Sequence, residues 1–132
     1  MFIITPKIKD IILEDLLSAE QPNINFNYRD SETKYGFKPQ YVKMILEQFE
    51  EIGLTKNTRY FTGYGAMVHL QAKAMDLYRH GGFAAEEELL KANIEKLGRE
   101  LDLLAKQLGP NYIEKAANIA QIGSAIMQAL VL

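Results

Sequence analysis

Apolar residues recur at the spacing of an α-helix in the first part of the chain. Thr5 offers a hydroxyl N-cap and Pro6 suits the first helical position, so a helix is predicted over residues 6–18. The apolar face of this helix comprises Ile8, Ile11, Ile12 and Leu16. The sequence EQPN ends the helix, and the following INF predicts a short strand over residues 24–26.

Two further helices are predicted directly after this strand. Asn27 can cap a short helix over residues 28–35, and Gly36 can close it in the left-handed conformation. Pro39 then opens a third helix, which Gly53 ends. The apolar positions of the third helix follow the i, i+3, i+4, i+7 rule and are Val42, Ile45, Leu46 and Phe49.

From residue 55 the apolar period becomes that of a β-strand. TRYF and AMVHL are predicted to pair as a hairpin, and the TGYG between them supplies a glycine-containing turn. QAKAMDLYR predicts a fourth helix, which stops at Gly81 and Gly82. The acidic run Glu86–Glu88 is then expected in the first turn of the next helix, where the helix dipole favours negative charge.

The last third of the chain carries a heptad pattern. Spacings of four and three alternate through Leu90, Ile94, Leu97, Leu101, Leu104 and Leu108. Gly109 and Pro110 interrupt this helix, and a second helix over about 111–130 predicts a helical hairpin. A hairpin of two helices cannot bury all of this apolar surface by itself. It therefore packs on its own domain or on another chain, and we favour a homodimer through residues 84–132.

Composition excludes several classes of protein. The 132 residues suffice for one main domain and an appendage. The absence of cysteine excludes a disulfide framework, a thiol nucleophile and a thiolate metal site, and it is consistent with a reducing cytoplasm. No basic leader precedes a long apolar run, so no signal peptide is expected. The net charge is −2, but residues 26–73 carry an excess of two bases and residues 81–132 an excess of two acids.

No group of residues in the sequence indicates catalysis. His69 and His80 lack partners at the spacing of a zinc site or of an activated nucleophile, and no serine lies in a nucleophile-elbow pattern. The GYG at residues 63–65 lacks the third glycine and the following helix of a phosphate-binding fingerprint. We therefore expect no enzyme activity, no cofactor and no metal.

The stretches YRDSETKYGFKPQYVKMILEQFEEIGL and TRYFTGYGAMVHLQAKAMDLYRHGGF resemble the winged-helix branch of the helix-turn-helix superfamily. The resemblance covers residues from about 5 to 83. It implies a mostly α-helical fold with a small β-hairpin, in which a winged helix-turn-helix domain over residues 1–83 is followed by a C-terminal helical hairpin over residues 84–132.

The resemblance also implies that the third helix lies in the major groove of DNA and presents its N-terminal residues to base edges. The implied contacts from this helix are Lys38, Gln40, Tyr41, Lys43 and Met44, and those from the wing are Lys56, Arg59 and Tyr64. Glutamine can pair with adenine, and lysine can reach guanine or a phosphate. Glu47, Glu50 and Glu51 would be repelled by phosphates, so the C-terminal end of the helix has to tilt out of the groove.

The expected function is that of a small transcriptional regulator of bacterial type, a cytoplasmic homodimer that binds double-stranded DNA. The alternative is a non-enzymatic interaction or assembly module that uses the winged helix as a scaffold, with the C-terminal helix as its attachment to a membrane. Residues 116–132 carry no charge but include four polar side chains and fall short of the roughly 20 apolar residues of a membrane span. We therefore expect that helix to be buried against protein.

Overall fold

The computed structural model describes residues 1–109 and 112–129 and shows a mostly helical chain with a small three-stranded antiparallel sheet. The elements in chain order are α1 (Pro6–Leu17), β1 (Asn23–Asn27), α2 (Tyr28–Tyr35), α3 (Pro39–Glu51), β2 (Thr55–Phe61), β3 (Gly65–Leu70), α4 (Ala72–Arg79), α5 (Gly82–Gln107) and α6 (Ile113–Ala129). Contacts divide the chain into two compact units, Met1–Ala85 and Glu86–Leu132. The first unit holds α1 to α4, the sheet and the first residues of α5.

Local capping determines where the first helices begin and end. The Thr5 hydroxyl accepts a hydrogen bond from a backbone N–H in the first turn of α1 at 3.3 Å. Asn27 caps α2, since its side-chain oxygen accepts from the N–H groups of Arg29 and Asp30 at 2.8 and 3.2 Å. Gly36 closes α2 with a φ of 76°, a conformation that glycine adopts without steric cost. The predicted limits of these two helices are confirmed to within one residue.

The sheet contains one strand more than the hairpin that the sequence predicted. The hairpin of β2 and β3 is confirmed, and β1 pairs with the other edge of β3, which gives the strand order β1-β3-β2. Ile24 lies opposite Val68, and Phe26 lies opposite Ala66. Where β1 ends, a side chain at Gly65 would overlap the backbone carbonyl of Phe26. Only glycine therefore permits this approach of the two strands.

The first unit has a single core to which the helices and the sheet both contribute. All four apolar residues predicted to be buried in α3 are buried. The four residues predicted for the apolar face of α1 all contact the core, Ile12 and Leu16 fully buried and Ile8 and Ile11 half-buried, but Leu13, which is also fully buried, was not predicted. The run IILEDLL has apolar residues on more than one side of the helix, so its periodicity did not mark Leu13 as part of the core.

The start of α5 differs from the expectation based on its acidic run. The helix begins at Gly82, so Glu86–Glu88 lie beyond its first turn. The terminal N–H groups are satisfied from α1 instead. The Asp10 carboxylate accepts from the N–H of Phe83 at 2.6 Å and from the N–H of Ala84 at 3.1 Å. A carboxylate at this position caps the helix and interacts favourably with its dipole.

In the second unit, α5 and α6 contact each other through paired glycines. A Cβ atom built on Gly123 would lie 3.3 Å from the carbonyl oxygen of Gly98, and one built on Gly98 would lie 2.8 Å from the sulfur of Met127. Since Gly98 meets residues 123 and 127 while Leu101 meets Gly123, the two helices run antiparallel. The predicted second helix over 111–130 agrees with α6 as far as Ala129, and its ends at residues 111 and 130 lie outside the described residues.

Candidate nucleic-acid interface

Helix α3 has one buried and one exposed side. Pro39 starts the helix, and Val42, Ile45, Leu46 and Phe49 bury one side in the core. The opposite side of the N-terminal half carries exposed side chains of the residues predicted to contact DNA. These are Lys38, Gln40, Lys43 and Met44. Tyr41 is half-buried instead, because its ring packs on Phe2 with the ring centroids 4.3 Å apart.

Lys43 lies where α3 meets the β2–β3 hairpin. Its ammonium group is 5.4 Å from the centroid of the Tyr60 ring, within the range of a cation–π contact. A cleft of about 290 Å³ opens between the two elements. Its lining includes Tyr28, Gln40, Lys43, Tyr60, Phe61 and Gly63. Sequence periodicity did not indicate Tyr28 and Tyr60 as part of this surface, although Tyr60 falls on the α3-facing side of β2.

The two tyrosines of the cleft keep their protons at neutral pH. Burial raises the pKa of Tyr60 to about 12, and the carboxylates of Glu47 and Glu50 add to this effect. Burial also raises the pKa of Tyr28, with Glu47 as the second cause. Both hydroxyl groups are buried, and neither has a hydrogen-bond partner among residues 1–109 and 112–129. The cleft therefore has neutral walls at neutral pH, and the ammonium group of Lys43 is the cation that lines it.

The three glutamates of α3 do not have the same surroundings. Glu50 accepts a hydrogen bond from the backbone N–H of Thr58 at 2.9 Å and so ties α3 to β2. It does this where β2 is irregular, next to Asn57 with its φ of 52°. Glu47 and Glu51 are exposed. Of the three glutamates that phosphates would repel, Glu50 thus forms a hydrogen bond that positions the hairpin.

The predicted wing residues fall on two different surfaces. Lys56 and Arg59 lie on the side of the sheet that faces away from α3, in a groove of about 330 Å³. The groove is also lined by Asn23, Asn57, Phe61, Met67, Val68 and His69. Tyr64 lies at the hairpin turn and is 53% exposed. The structure thus brings Gln40 and Lys43 together beside the hairpin, but it does not bring Lys56 and Arg59 into the same cleft.

The predicted oligomerisation residues also divide between two surfaces. Ile94, Leu101 and Leu108 are half-buried on the side of α5 that carries buried Gly98 and Ala105. Every second member of the heptad pattern faces solvent instead: Leu90 is 58% exposed, and Leu97 and Leu104 are each 46% exposed. The six residues are thus not a single buried seam within the chain.

In the described part of the chain, neither a metal site nor a membrane-spanning helix is found. Within residues 1–109 and 112–129, no three His, Cys, Asp or Glu side chains are grouped as a metal site would require. His69 shares a hydrogen bond with the side-chain oxygen of Asn23 at 2.5 Å, a cross-strand contact. None of the helices in the described ranges is both long and apolar enough to cross a membrane.

Comparison of the chain with known protein families, with curated proteins and with solved structures gives no match. A function therefore has to be inferred from the residues and their geometry.

Proposed function

We propose that the chain is a winged-helix DNA-binding protein, in which α3 enters the major groove and the β2–β3 hairpin is the wing. The chain would act as a small transcriptional regulator. The observation that carries the proposal is the position of Lys43. An exposed cation is held over Tyr60, between the exposed side of α3 and the hairpin beside it. A cation at this junction can reach a base edge in the groove or a phosphate at its rim.

The residues around Lys43 have the chemistry for direct contact with base pairs. Gln40 lies one turn earlier on the same exposed side, and its amide can pair with the N6 and N7 positions of adenine. Lys38, before the first turn, can pair with a phosphate. Glu47 and Glu51 follow toward the C-terminal end, so docking by the N-terminal half keeps their carboxylates away from the phosphates.

Lys56 and Arg59 have a different part in this proposal. Because they lie on the far side of the sheet from Gln40, they would contact the DNA backbone beyond the groove that α3 occupies. Such contacts would position the protein without specifying sequence. With about four phosphate contacts per copy, the logarithm of the binding constant falls with the logarithm of salt concentration at a slope near −3.6.

Affinity at moderate salt then requires two copies on one duplex. We propose that a homodimer through residues 84–132 supplies them, so that two copies of α3 meet two half-sites. The exposed leucines of α5 support this part of the proposal.

Titration of a fluorescently labelled random-sequence duplex tests the proposal. Anisotropy should rise with protein concentration at low salt and much less at moderate salt. Absence of binding at both salt concentrations, by protein whose dimeric state is confirmed by sedimentation, would refute DNA binding.

A second function remains in competition, namely a non-enzymatic assembly module. The exposed leucines of α5 favour it, because an apolar surface of this kind is a binding site for another protein. The carboxylates of Glu47 and Glu51 also favour it, because they repel phosphates. Under this alternative, the same titration shows no binding while sedimentation still shows association. The two measurements together therefore separate the two functions.

A further inference from the structure

The heptad pattern of α5 falls on two adjacent sides of the helix, and α6 approaches one of them. The half-buried residues Ile94, Leu101 and Leu108 lie on the side of the buried Gly98 and Ala105, where α6 approaches. Leu90, Leu97 and Leu104 form an adjacent stripe, which we call the leucine stripe, and its members are 58%, 46% and 46% exposed. Three leucines at intervals of seven residues form the seam along which a second helix packs.

The hairpin widens the apolar surface beside this stripe. On α6, Ile119, Ile122 and Ile126 recur at intervals of three and four residues, and Ile122 is 55% exposed. Arg99 and Leu103 of α5 line one groove with Ala120 and Ser124 of α6, so the isoleucines and the leucine stripe lie together on the other side of the hairpin. This side thus presents apolar residues from both helices.

Polar residues beside the leucine stripe determine how a second copy can pair with it. On the side away from α6 runs a parallel column of exposed residues, also at intervals of seven: Glu86, Asn93, Glu100 and Gln107. If two copies of α5 paired in parallel along the leucine stripe, the polar column of each copy would lie beside the opposite flank of the other copy, which holds Glu87, Ile94 and Leu101. Glu86 would then lie near Glu87 of the other copy and Glu100 near Leu101, so neither carboxylate would gain a hydrogen-bond donor.

Antiparallel pairing brings the two polar columns side by side instead. If Leu97 of one copy lies on Leu97 of the other, Leu90 lies on Leu104, and the leucine stripe is its own complement. Glu100 then comes beside Asn93, and Glu86 beside Gln107. An amide can donate a hydrogen bond to a carboxylate, so both acidic residues gain a donor.

We propose that two copies of the chain associate through an antiparallel pair of α5 helices with its two-fold axis at Leu97. The inference rests on the proposed homodimer, though not on the proposed binding of DNA. At 1.5 Å per residue, the two Glu86 residues lie about 33 Å apart along the pair.

Cysteine crosslinking tests the arrangement in the full-length chain, which contains no cysteine of its own. The variants are Leu97→Cys, Leu90→Cys, Leu104→Cys and, as a control, Leu103→Cys. Leu103 is 56% exposed on the same helix but lies off the stripe. Each variant is treated with a short bis-maleimide and run on a denaturing gel, after circular dichroism has shown its helix content unchanged.

We expect Leu97→Cys to form covalent dimers alone. Leu90→Cys and Leu104→Cys should form them only when mixed, because identical positions lie 14 residues, or about 21 Å, apart along the antiparallel pair. The control should form at least tenfold less dimer than Leu97→Cys.

The other outcomes overturn the proposal in distinguishable ways. Self-crosslinking of both Leu90→Cys and Leu104→Cys would show a parallel pair. A dimer by sedimentation without any crosslink at Leu97, or one that crosslinks equally well at Leu103, would place the interface elsewhere. A monomer by sedimentation would overturn the homodimer as well, while titration with duplex DNA would still report on DNA binding independently.

Discussion

The two units of the chain use their apolar residues differently. In Met1–Ala85, large side chains from the helices and the sheet meet in one core, and residues such as Phe49 and Leu46 have no exposed surface. In the second unit, the helices meet through glycines, and the leucine stripe faces solvent. The first unit thus completes its core from its own residues, whereas the second leaves a row of leucines exposed.

The largest expected effect is at the centre of the first core. Phe49 is fully buried, and its ring stacks on Phe83 with centroids 5.5 Å apart. Phe49→Ala should therefore lower the free energy of unfolding by about 3–5 kcal/mol, since it leaves a cavity as well as removing buried surface. Urea unfolding followed by tyrosine fluorescence measures this change, because every tyrosine except Tyr112 belongs to the first unit.

The matched variant Leu97→Ala sharpens the contrast. It removes an apolar side chain of the second unit, so the tyrosine signal of the first unit should show a change below about 0.5 kcal/mol. If both variants lost the same free energy of unfolding, the two units would unfold together, and their different use of apolar residues would not affect stability.

A smaller effect is expected where α1 caps α5. Asp10→Ala removes the acceptor for the N–H groups of Phe83 and Ala84, and should cost about 1–2 kcal/mol of unfolding free energy. Asp10→Asn retains one oxygen acceptor and loses the charge, so it should cost less. If Asp10→Ala unfolds at the same urea concentration as the unaltered chain, the carboxylate does not stabilise the start of α5.

The features that sequence alone predicted are those fixed by neighbouring residues. Thr5, Asn27 and Gly36 set helix ends through bonds within a few residues, so the limits of α1 and α2 could be predicted. The Asp10 cap could not, because its partners lie more than 70 residues further along the chain. No local signal marks a bond of this kind.

Two features of the candidate surfaces show why periodicity was insufficient there. Lys56 and Arg59 are three residues apart and would point to opposite sides of a regular strand, but an irregularity in β2 between them places both in one groove. Along α5, the small residues Gly98 and Ala105 let α6 approach the half of the heptad pattern beside them. The spacing of the leucines alone did not reveal that division.

Under the proposed function, the cation between α3 and the hairpin should contribute more to DNA binding than a lysine elsewhere on the surface. Lys43→Ala removes the cation between α3 and the hairpin, and should weaken duplex binding by about threefold to tenfold and reduce the salt slope by about one. Lys7→Ala removes an equal charge from an exposed position on α1 and serves as the control. Anisotropy titrations at three salt concentrations would contradict the proposed interface if both variants lost affinity equally.

The smallest effect concerns the buried hydroxyl group of Tyr60, and it depends on pH. The pKa of Tyr60 is raised to about 12 in the folded chain, against 10.0 for an unperturbed tyrosine. Between these values the unfolded chain releases the proton while the folded chain keeps it, so the free energy of unfolding decreases as pH rises from about 10. Below pH 10 both states are protonated and the group contributes no pH dependence.

Tyr60→Phe should therefore lose less stability than the unaltered chain between pH 10 and pH 11. At pH 8 it should be as stable or slightly more stable, because the hydroxyl group that it removes is buried without a hydrogen-bond partner in the described part of the chain. Tyr64→Phe, at the exposed turn of the same hairpin, is the control and should follow the unaltered chain at both pH values. Urea unfolding at pH 8 and pH 11 measures the difference. An unchanged pH dependence in Tyr60→Phe would show that the hydroxyl group already ionises normally, and hence that the wall of the cleft beside Lys43 is open to water.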